Sequence, residues 1–509
     1  MSKNNIKKLE DKLWDAADNL RANSGLTVHQ YSQPVLGLIF LRFAEFKFQK
    51  ATEDLTTPKK TNTNIVRERK IGPAEYQAKG IMYLPEKARF SYLLNLKESE
   101  NFGKIINDAM KEIEEYNPSL TSVLPKTYNK VENHILISLL KTFSEIPFDG
   151  EGDIFGKIYE YFLSKFAMKE GQGGGEFFTP TSLVKLIVEI LEPYEGKVFD
   201  PACGSGGMFV QSANFVKKHK DSKQKTISIY GQEKNETSVD LCKMNLAVHG
   251  LEGQIKQGNT FYEDLHSSVG QFDFVMANPP FNVKGVDKEK IKTDTRYRLG
   301  TPSVDNANYL WIEHFYESLN KKGRAGFVMA NAASDARGTE LEIRRKLIDA
   351  GAVDVMISIG DNFFYTVTLS CTLWFFDKGK KGTDRENTIL FIDARSIFTI
   401  DEDTEQRNKK KFTPEQIDEI ANIVRAYRGE QGAAKYKDIK GLCKVATRQE
   451  VAEAGYSLNP GRYVGTEVVE ESKEDFQEKI KSLSGELDEL FKESAVLEKK
   501  IKENLKKIL

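Results

Sequence analysis

Over the first 150 positions apolar residues recur mainly at three- and four-residue steps, the period of helices buried by one face. In "LWDAADNLRANSG" the residues Leu13, Trp14, Ala17 and Leu20 share such a face. "YSQPVLGLIFLRFAEFKFQKA" predicts a strongly apolar helix or helix pair, and the charged "TTPKKTNTNIVRERK" an inserted loop. From about 151 the pattern changes. "DIFGKIYEYFLSKFA" predicts a helix, the glycine-rich "GQGGGEFFTP" a loop, and "TSLVKLIVEIL" a helix with Thr181 or Ser182 as its N-cap. Strand patterns then follow at "KVFD", "TISIYGQE", "QFDFVMANPPF", "RAGFVMAN", "VDVMISI" and "TLWFFD". Helical patterns alternate with them: "GGMFVQSANFVKKH", "TSVDLCKMNLAVHG" closed by Gly250, and "NYLWIEHFYESLNKKG". This alternation predicts an α/β domain with a mostly parallel sheet, whose ligands sit at the carboxyl ends of strands.

Beyond about 400 the chain turns polar. Near the end, Phe476, Ile480, Leu483, Leu487, Leu490, Leu497, Ile501 and Ile508 fall on an alternating four–three spacing among charged residues, the seam of a coiled coil. The expected division is a helical domain at 1–150, an α/β domain at 151–425, a polar connecting segment at 426–465 and a coiled-coil helix at 466–509. Composition adds exclusions. With 39% hydrophobic and 29% charged residues the chain is an ordinary globular protein. Four scattered cysteines and six dispersed histidines indicate neither a disulfide framework nor a metal site. A polar N-terminus without a signal-peptide core, and no apolar run long enough for a bilayer, predict a cytoplasmic protein without a membrane partner. The formal net charge is −1, so a nucleic-acid substrate would be gripped partly by another subunit.

Two loops carry the chemistry. "VFDPACGSGGMF" sets Asp200 at a strand end, followed by Ser205, Gly206 and Gly207 and then a helix. A dinucleotide fingerprint would need glycine where Phe209 stands, and no P-loop Lys follows. The order strand–Asp–Pro–x–x–Gly–x–Gly is instead a donor loop for S-adenosylmethionine. Glu233 ends the next strand, where a carboxylate can accept two ribose hydroxyls. Asn259, after the third strand, can meet an adenine amine.

The second loop is Asn278, Pro279, Pro280 and Phe281, at the end of an apolar strand. Two prolines offer no N–H and hold their carbonyls rigidly. An aromatic exocyclic amine is a poor nucleophile because its lone pair is delocalised into the ring. It improves when both N–H groups donate to fixed acceptors, here the Asn278 side-chain carbonyl and the Pro279 backbone carbonyl. Phe281 offers a face for base stacking. A base in a duplex reaches such a corner only by flipping out of the stack.

These residues resemble the methyltransferase (modification) subunit of type I restriction–modification systems, an adenine-N6 DNA methyltransferase family. "DPACGSGGMF" and "NPPF" match its central motifs, and "GGGEFFTP" its additional donor-binding motif. The likeness extends through "LWDAADNLR", "VLGLIFLRF", "NANYLWIEHF", "GRAGFVMAN" and "EIRRKLIDAG". It implies a Rossmann-like S-adenosylmethionine-dependent methyltransferase domain behind a helical N-terminal domain. It also implies donor contacts from Glu176, Phe177, Phe178, Thr179, Pro180, Thr181, Ser205, Gly206, Gly207 and Glu233, with Asp200 beside them, and a target adenine held by Asn278 to Phe281. In the family a specificity subunit, held by two methylase copies, chooses the sequence on double-stranded DNA, and a restriction subunit can join. Relatives often carry an acid where Asn259 stands, and the resemblance assigns no role to "NFFYTVTLSCTLWFF". Other readings of the corner are an RNA or protein-glutamine N-methyltransferase, a cytosine-N4 enzyme (more often Ser at 278) and a donor-binding scaffold without catalysis.

Overall fold

The computed structural model describes residues 3–22, 25–56, 71–146, 154–174, 179–219, 226–303, 305–364, 368–402, 408–465 and 473–508. Among the described residues, seven α-helices build the N-terminal region: α1 (Lys3–Ala22), α2 (Val28–Thr56), α3 (Pro73–Gln77), α4 (Phe90–Leu94), α5 (Phe102–Tyr116), α6 (Asn133–Ser144) and α7 (Ile154–Gly174). The face expected of α1 is the one it buries: Leu13 and Ala17 are fully enclosed, and Trp14 meets the rings of Phe162 and Phe166 edge-on at 5.5 and 5.1 Å. The same core takes in Met244 and Val248 of α10 (Glu236–Val248), so these helices rest on the α/β part through shared apolar contacts.

α8 (Thr181–Leu191) and α9 (Gly207–Lys218) precede α10, with strands β1 (Gly196–Asp200), β2 (Ile227–Glu233) and β3 (Gly253–Gln257) interleaved. β4 (Phe272–Ala277), α11 (Lys288–Ile291), α12 (Asn308–Ser318), β5 (Leu319–Ala330), α13 (Thr339–Asp349), β6 (Val353–Ile359), β7 (Cys371–Asp377) and β8 (Thr388–Asp393) follow. The chain continues through β9 (Thr399–Ile400), β10 (Lys410–Lys411), α14 (Pro414–Arg428), β11 (Cys443–Thr447) and α15 (Arg448–Glu453). Nine strands form one sheet in the order β11-β8-β6-β7-β5-β4-β1-β2-β3. Only β7 and β11 run against their neighbours, so the mostly parallel sheet is as expected. Strand order reverses between β1 and β4, which makes their carboxyl ends the crevice of the fold.

Several local expectations need correction. α8 is capped by Pro180 rather than Thr181 or Ser182, with no side-chain cap bond. The helix predicted to run to the glycine at 323 ends at Ser318, because Leu319 already pairs with Phe272 as the first residue of β5. Gly250 does stop α10: at φ +66° it takes the left-handed conformation just after the His249 cap.

The stretch 426–465, expected to be a polar connector, instead belongs to the sheet unit. β11 pairs along its whole length with β8, Val451 and Leu458 are fully buried, and Tyr463 stacks on Phe391 at 3.9 Å. α14 runs through the expected boundary at 425. Its Arg425 pairs with Glu189 of α8 and with Glu192, the residue that caps it, both at 2.7 Å, and Arg428 pairs with the fully buried Asp354 at 3.1 Å. Arg385 closes on the same Asp354 at 2.6 Å, and these cations hold its carboxyl below the usual range despite burial. α14 is thereby locked onto α8, the helix whose first turn borders the crevice.

A compact unit ends at Val464, and a second comprises 465–509. The latter contains α16 (Lys473–Ile508), a single long helix in which Ile480, Leu487, Leu490, Leu497 and Ile501 are exposed. The side chains of Phe476, Leu483 and Ile508 lie outside the described residues. Among the described residues no helix is long and apolar enough to cross a membrane, and no cluster of metal-ligating side chains occurs.

If 426–465 is core, Leu458→Ala must cost about 2–5 kcal/mol of stability, the usual range for a buried leucine. Urea unfolding followed by circular dichroism reads this, and an unchanged midpoint would restore the connector.

Candidate active site

β1, β2, β3 and β4 all release their chain at one edge, which brings Asp200, Glu233, Asn259 and Asn278 to the same rim. In the loop after β1, Gly204 and Gly206 take φ of +49° and +79°. Gly206 is also crowded, since a Cβ there would approach Cys242 Sγ to 2.7 Å. At Gly204 and Gly207 a Cβ would meet nothing within 4 Å, so the loop presents bare backbone to open space. Asn245 of α10 fixes the loop from behind, its Nδ2 donating to the Ser205 carbonyl at 2.9 Å.

The Glu233 carboxylate bridges this loop and the turn after β2. It accepts the Gly204 N–H at 3.0 Å and the Asn235 N–H at 2.9 Å. Asp200 lies deeper. Its Oδ1 accepts the Ala202 N–H at 3.0 Å, while burial, reinforced by the Glu233 charge, pushes its carboxyl up to about 8. The Asn259 side chain turns back on its own loop and accepts the Phe261 N–H at 3.2 Å. Beneath the glycines lie the buried thiols of Cys203 and Cys242, and the neighbouring Cys242 side chain together with burial raises the Cys203 thiol well above its ordinary value. All four cysteines are reduced and buried.

Asn278 stands just past the Phe199–Val275 pair of the β1–β4 ladder. Its Nδ2 donates to Thr179 Oγ1 at 2.9 Å, joining the "NPPF" corner to the start of α8. Thr179 was expected beside the donor; the described contact of its hydroxyl is with Asn278. Pro279 is buried, Pro280 exposed and Phe281 half-buried, its ring edge-on to the buried Phe364 at 6.3 Å. That contact makes Phe364 a wall of the corner. Pro180 is buried and Thr181 exposed at the mouth of α8, while Glu176, Phe177 and Phe178 lie outside the described residues.

Four residues that the sequence reading left without a role pin the corner from the far side. Asn282 takes φ +55°, its N–H donates to Asn308 Oδ1 at 2.8 Å, and its Oδ1 accepts from Asn306 and Asn308, both at 2.9 Å. Asp305 adds a bond from the Gly285 N–H at 2.7 Å. The available signal was an asparagine directly after Phe281, since Asn is the non-glycine residue most at ease in that conformation. The asparagines of "DNANY" were its partners.

Residues 150–472 match the family described as N-6 DNA Methylase, and residues 9–143 match the HsdM N-terminal domain. The methylase subunit of the type I restriction enzyme MjaIX from Methanocaldococcus jannaschii is 38% identical over 97% of this chain and 90% of its own length. The HindI methylase subunit from Haemophilus influenzae is also 38% identical, over 79% and 92%. In fold, the chain is similar to the type I restriction–modification methyltransferase subunit from Streptococcus thermophilus, with a TM-score of 0.74 at 22% identity, covering 91% of this chain and all of that one. The rim of motifs, the matched family and these relatives agree: the chain belongs to the N-6 DNA methylase family, among the type I restriction-enzyme methylase subunits, and is an adenine-specific DNA methyltransferase.

Proposed function

We propose that this chain transfers a methyl group from S-adenosylmethionine to the N6 amine of an adenine flipped out of double-stranded DNA, with the sequence chosen by a specificity subunit. The observation that carries the reading is the placement of Asn278. Its carboxamide is tied to Thr179 on one side of the corner, and the corner is tied to Asn306 and Asn308 on the other.

The residues present fit the donor. Gly204 and Gly207 offer backbone without side-chain bulk to open space, with Ser205 and Gly206 between them, and the Glu233 carboxylate stands ready for the ribose hydroxyls. Asp200 and Asn259 share their rim. Bound there, S-adenosylmethionine supplies an electrophilic methyl whose leaving group is a neutral thioether. The chain's own work is positioning and electrostatics. Asn278 Oδ1 and the Pro279 carbonyl accept the two hydrogens of the amine and draw its lone pair out of the ring. Phe281 stacks on the extruded base and fixes its plane. As the N–C bond forms and the S–C bond breaks, the nitrogen becomes cationic and sheds one hydrogen to solvent as a proton. Thr179 takes an Nδ2 hydrogen of Asn278, which determines the end of the carboxamide that carries the oxygen.

α16 supports the partner assignment. A lone helix with an exposed apolar seam gains by burying it against other helices, and in the family that surface is offered by the specificity subunit, shared by two methylase copies. A restriction subunit is a further possible partner.

The assay is transfer of labelled methyl from S-adenosylmethionine to unmethylated duplex by this chain with its specificity partner, followed by nucleoside analysis. Label is expected at adenine N6; label on cytosine, or none on DNA, overturns the reading. Asn278→Ala is expected to lower kcat about 100- to 1,000-fold with donor affinity little changed, as for loss of a pre-organised polar group. Thr179→Val, which deletes one orienting bond, should lower kcat by about tenfold while Thr179→Ser retains activity. Replacing Leu487 and Leu490 with Glu should abolish co-purification of the specificity subunit while leaving donor binding intact, as checked by calorimetry.

A further inference from the structure

Between the "NPPF" corner and α12 the chain runs through residues 282–307, and a turn in that loop reaches under the opposite side of the site. Arg296 is only 1% exposed. Its Nη1 donates to the carbonyls of Thr260 at 2.6 Å and Glu263 at 3.4 Å, and its Nη2 to that of Phe261 at 3.4 Å. Asp294 receives Nε at 3.0 Å and Nη2 at 2.6 Å. The neighbouring Tyr297 hydroxyl also donates to the Phe261 carbonyl, at 3.2 Å.

A second tie lies nearer the surface. The Asp287 N–H donates to the Tyr262 hydroxyl at 2.9 Å, and the Lys290 ammonium sits 5.6 Å from the centre of that ring. The turn at 259–263 therefore carries Asn259 on the donor side and is bonded twice to the loop that continues from the base side. Thr260 Oγ1 extends the chain of contacts into the donor loop by donating to the Pro201 carbonyl at 2.6 Å.

Arginine suits this place for a geometric reason. Its planar fork directs separate N–H groups at three carbonyls and a carboxylate together, whereas an ammonium has three donors at a single point. Because the guanidinium is buried, each of these bonds is costly to leave unmade. The two loops are thus constrained to shift together.

We infer that Arg296, assisted by Tyr262, is a positioning residue that couples the two substrate sides, so that donor occupancy changes the affinity for DNA and the reverse. This rests on the function proposed above. By linkage the effect is the same factor in both directions.

The test uses the assembled complex of this chain with its specificity partner and a fluorescein-labelled duplex carrying the recognition sequence. Anisotropy titrations with and without saturating S-adenosylhomocysteine give the ratio of the two duplex dissociation constants. In the native complex the ratio is expected to be about 5-fold or more, the usual lower range of such coupling. In Arg296→Lys and Tyr262→Phe it is expected to fall toward one, while binding of S-adenosylhomocysteine without DNA is little changed. Tyr262 is 37% exposed, so the phenylalanine variant keeps the test decisive should the buried substitution fail to fold. A native complex that methylates DNA yet shows a ratio of one, or a Tyr262→Phe complex that keeps the native ratio, overturns the coupling alone. A native complex that methylates nothing overturns the proposed function and the coupling with it.

Discussion

Parallel strands β4, β1, β2 and β3 release their chain at one edge, and beyond that edge no ladder remains to hold the loops. The groups with chemistry to offer stand on the last rungs of the ladder, as Asp200 and Glu233 do, or just beyond it. The structure meets the constraint with side chains bonded to backbone or to other side chains: Glu233 to Gly204, Asn245 to Ser205, Thr260 to Pro201, Asn278 to Thr179 and Asn308 to Asn282. Each bond joins segments well separated in sequence, so no loop of the rim is held by its neighbours in the chain alone. Short polar residues dominate because few rotatable bonds are frozen in making each tie.

The support extends below the rim. α14 fastens α8 through Arg425, and α8 begins where Thr179 meets Asn278. The sheet's far side is stiffened by Asp354 between Arg385 and Arg428, buried charges whose partners are supplied by separate elements. Removing one member would leave the others uncompensated, which is why such groups specify a single arrangement.

The strands and helices around the two motifs were legible because they combine clear periodicity with unmistakable stops. β1 ends at Asp200 and β4 at the paired prolines, and α10 ends before a glycine that takes positive φ. What escaped was set by tertiary contacts. β11 is five residues long and its burial pattern is irregular, so its strand character comes from pairing with β8. β8, "TILFID", was not among the strand patterns, and its place in the sheet is set by pairing with β6 and β11. The Ser318–Leu319 boundary depends on Phe272, distant in sequence. The site shows the same division. Residues that serve by type, such as Gly206, Glu233 and Asn278, could be read from the chain. Asn282 and Asn308 were given no role, since their significance lies in what they touch, and Thr179 was expected beside the donor without its bond to Asn278.

The paired thiols below the glycine loop have a chemical consequence of their own. Cys203 and Cys242 are both enclosed, and Cys203 is held in its protonated form. A thiolate at the surface is what electrophiles and peroxides attack, and neither of these buried sulfurs offers access. The most backbone-dependent part of the site thus rests on sulfur that stays inert through redox stress, which lets the loop keep its shape without a covalent crosslink.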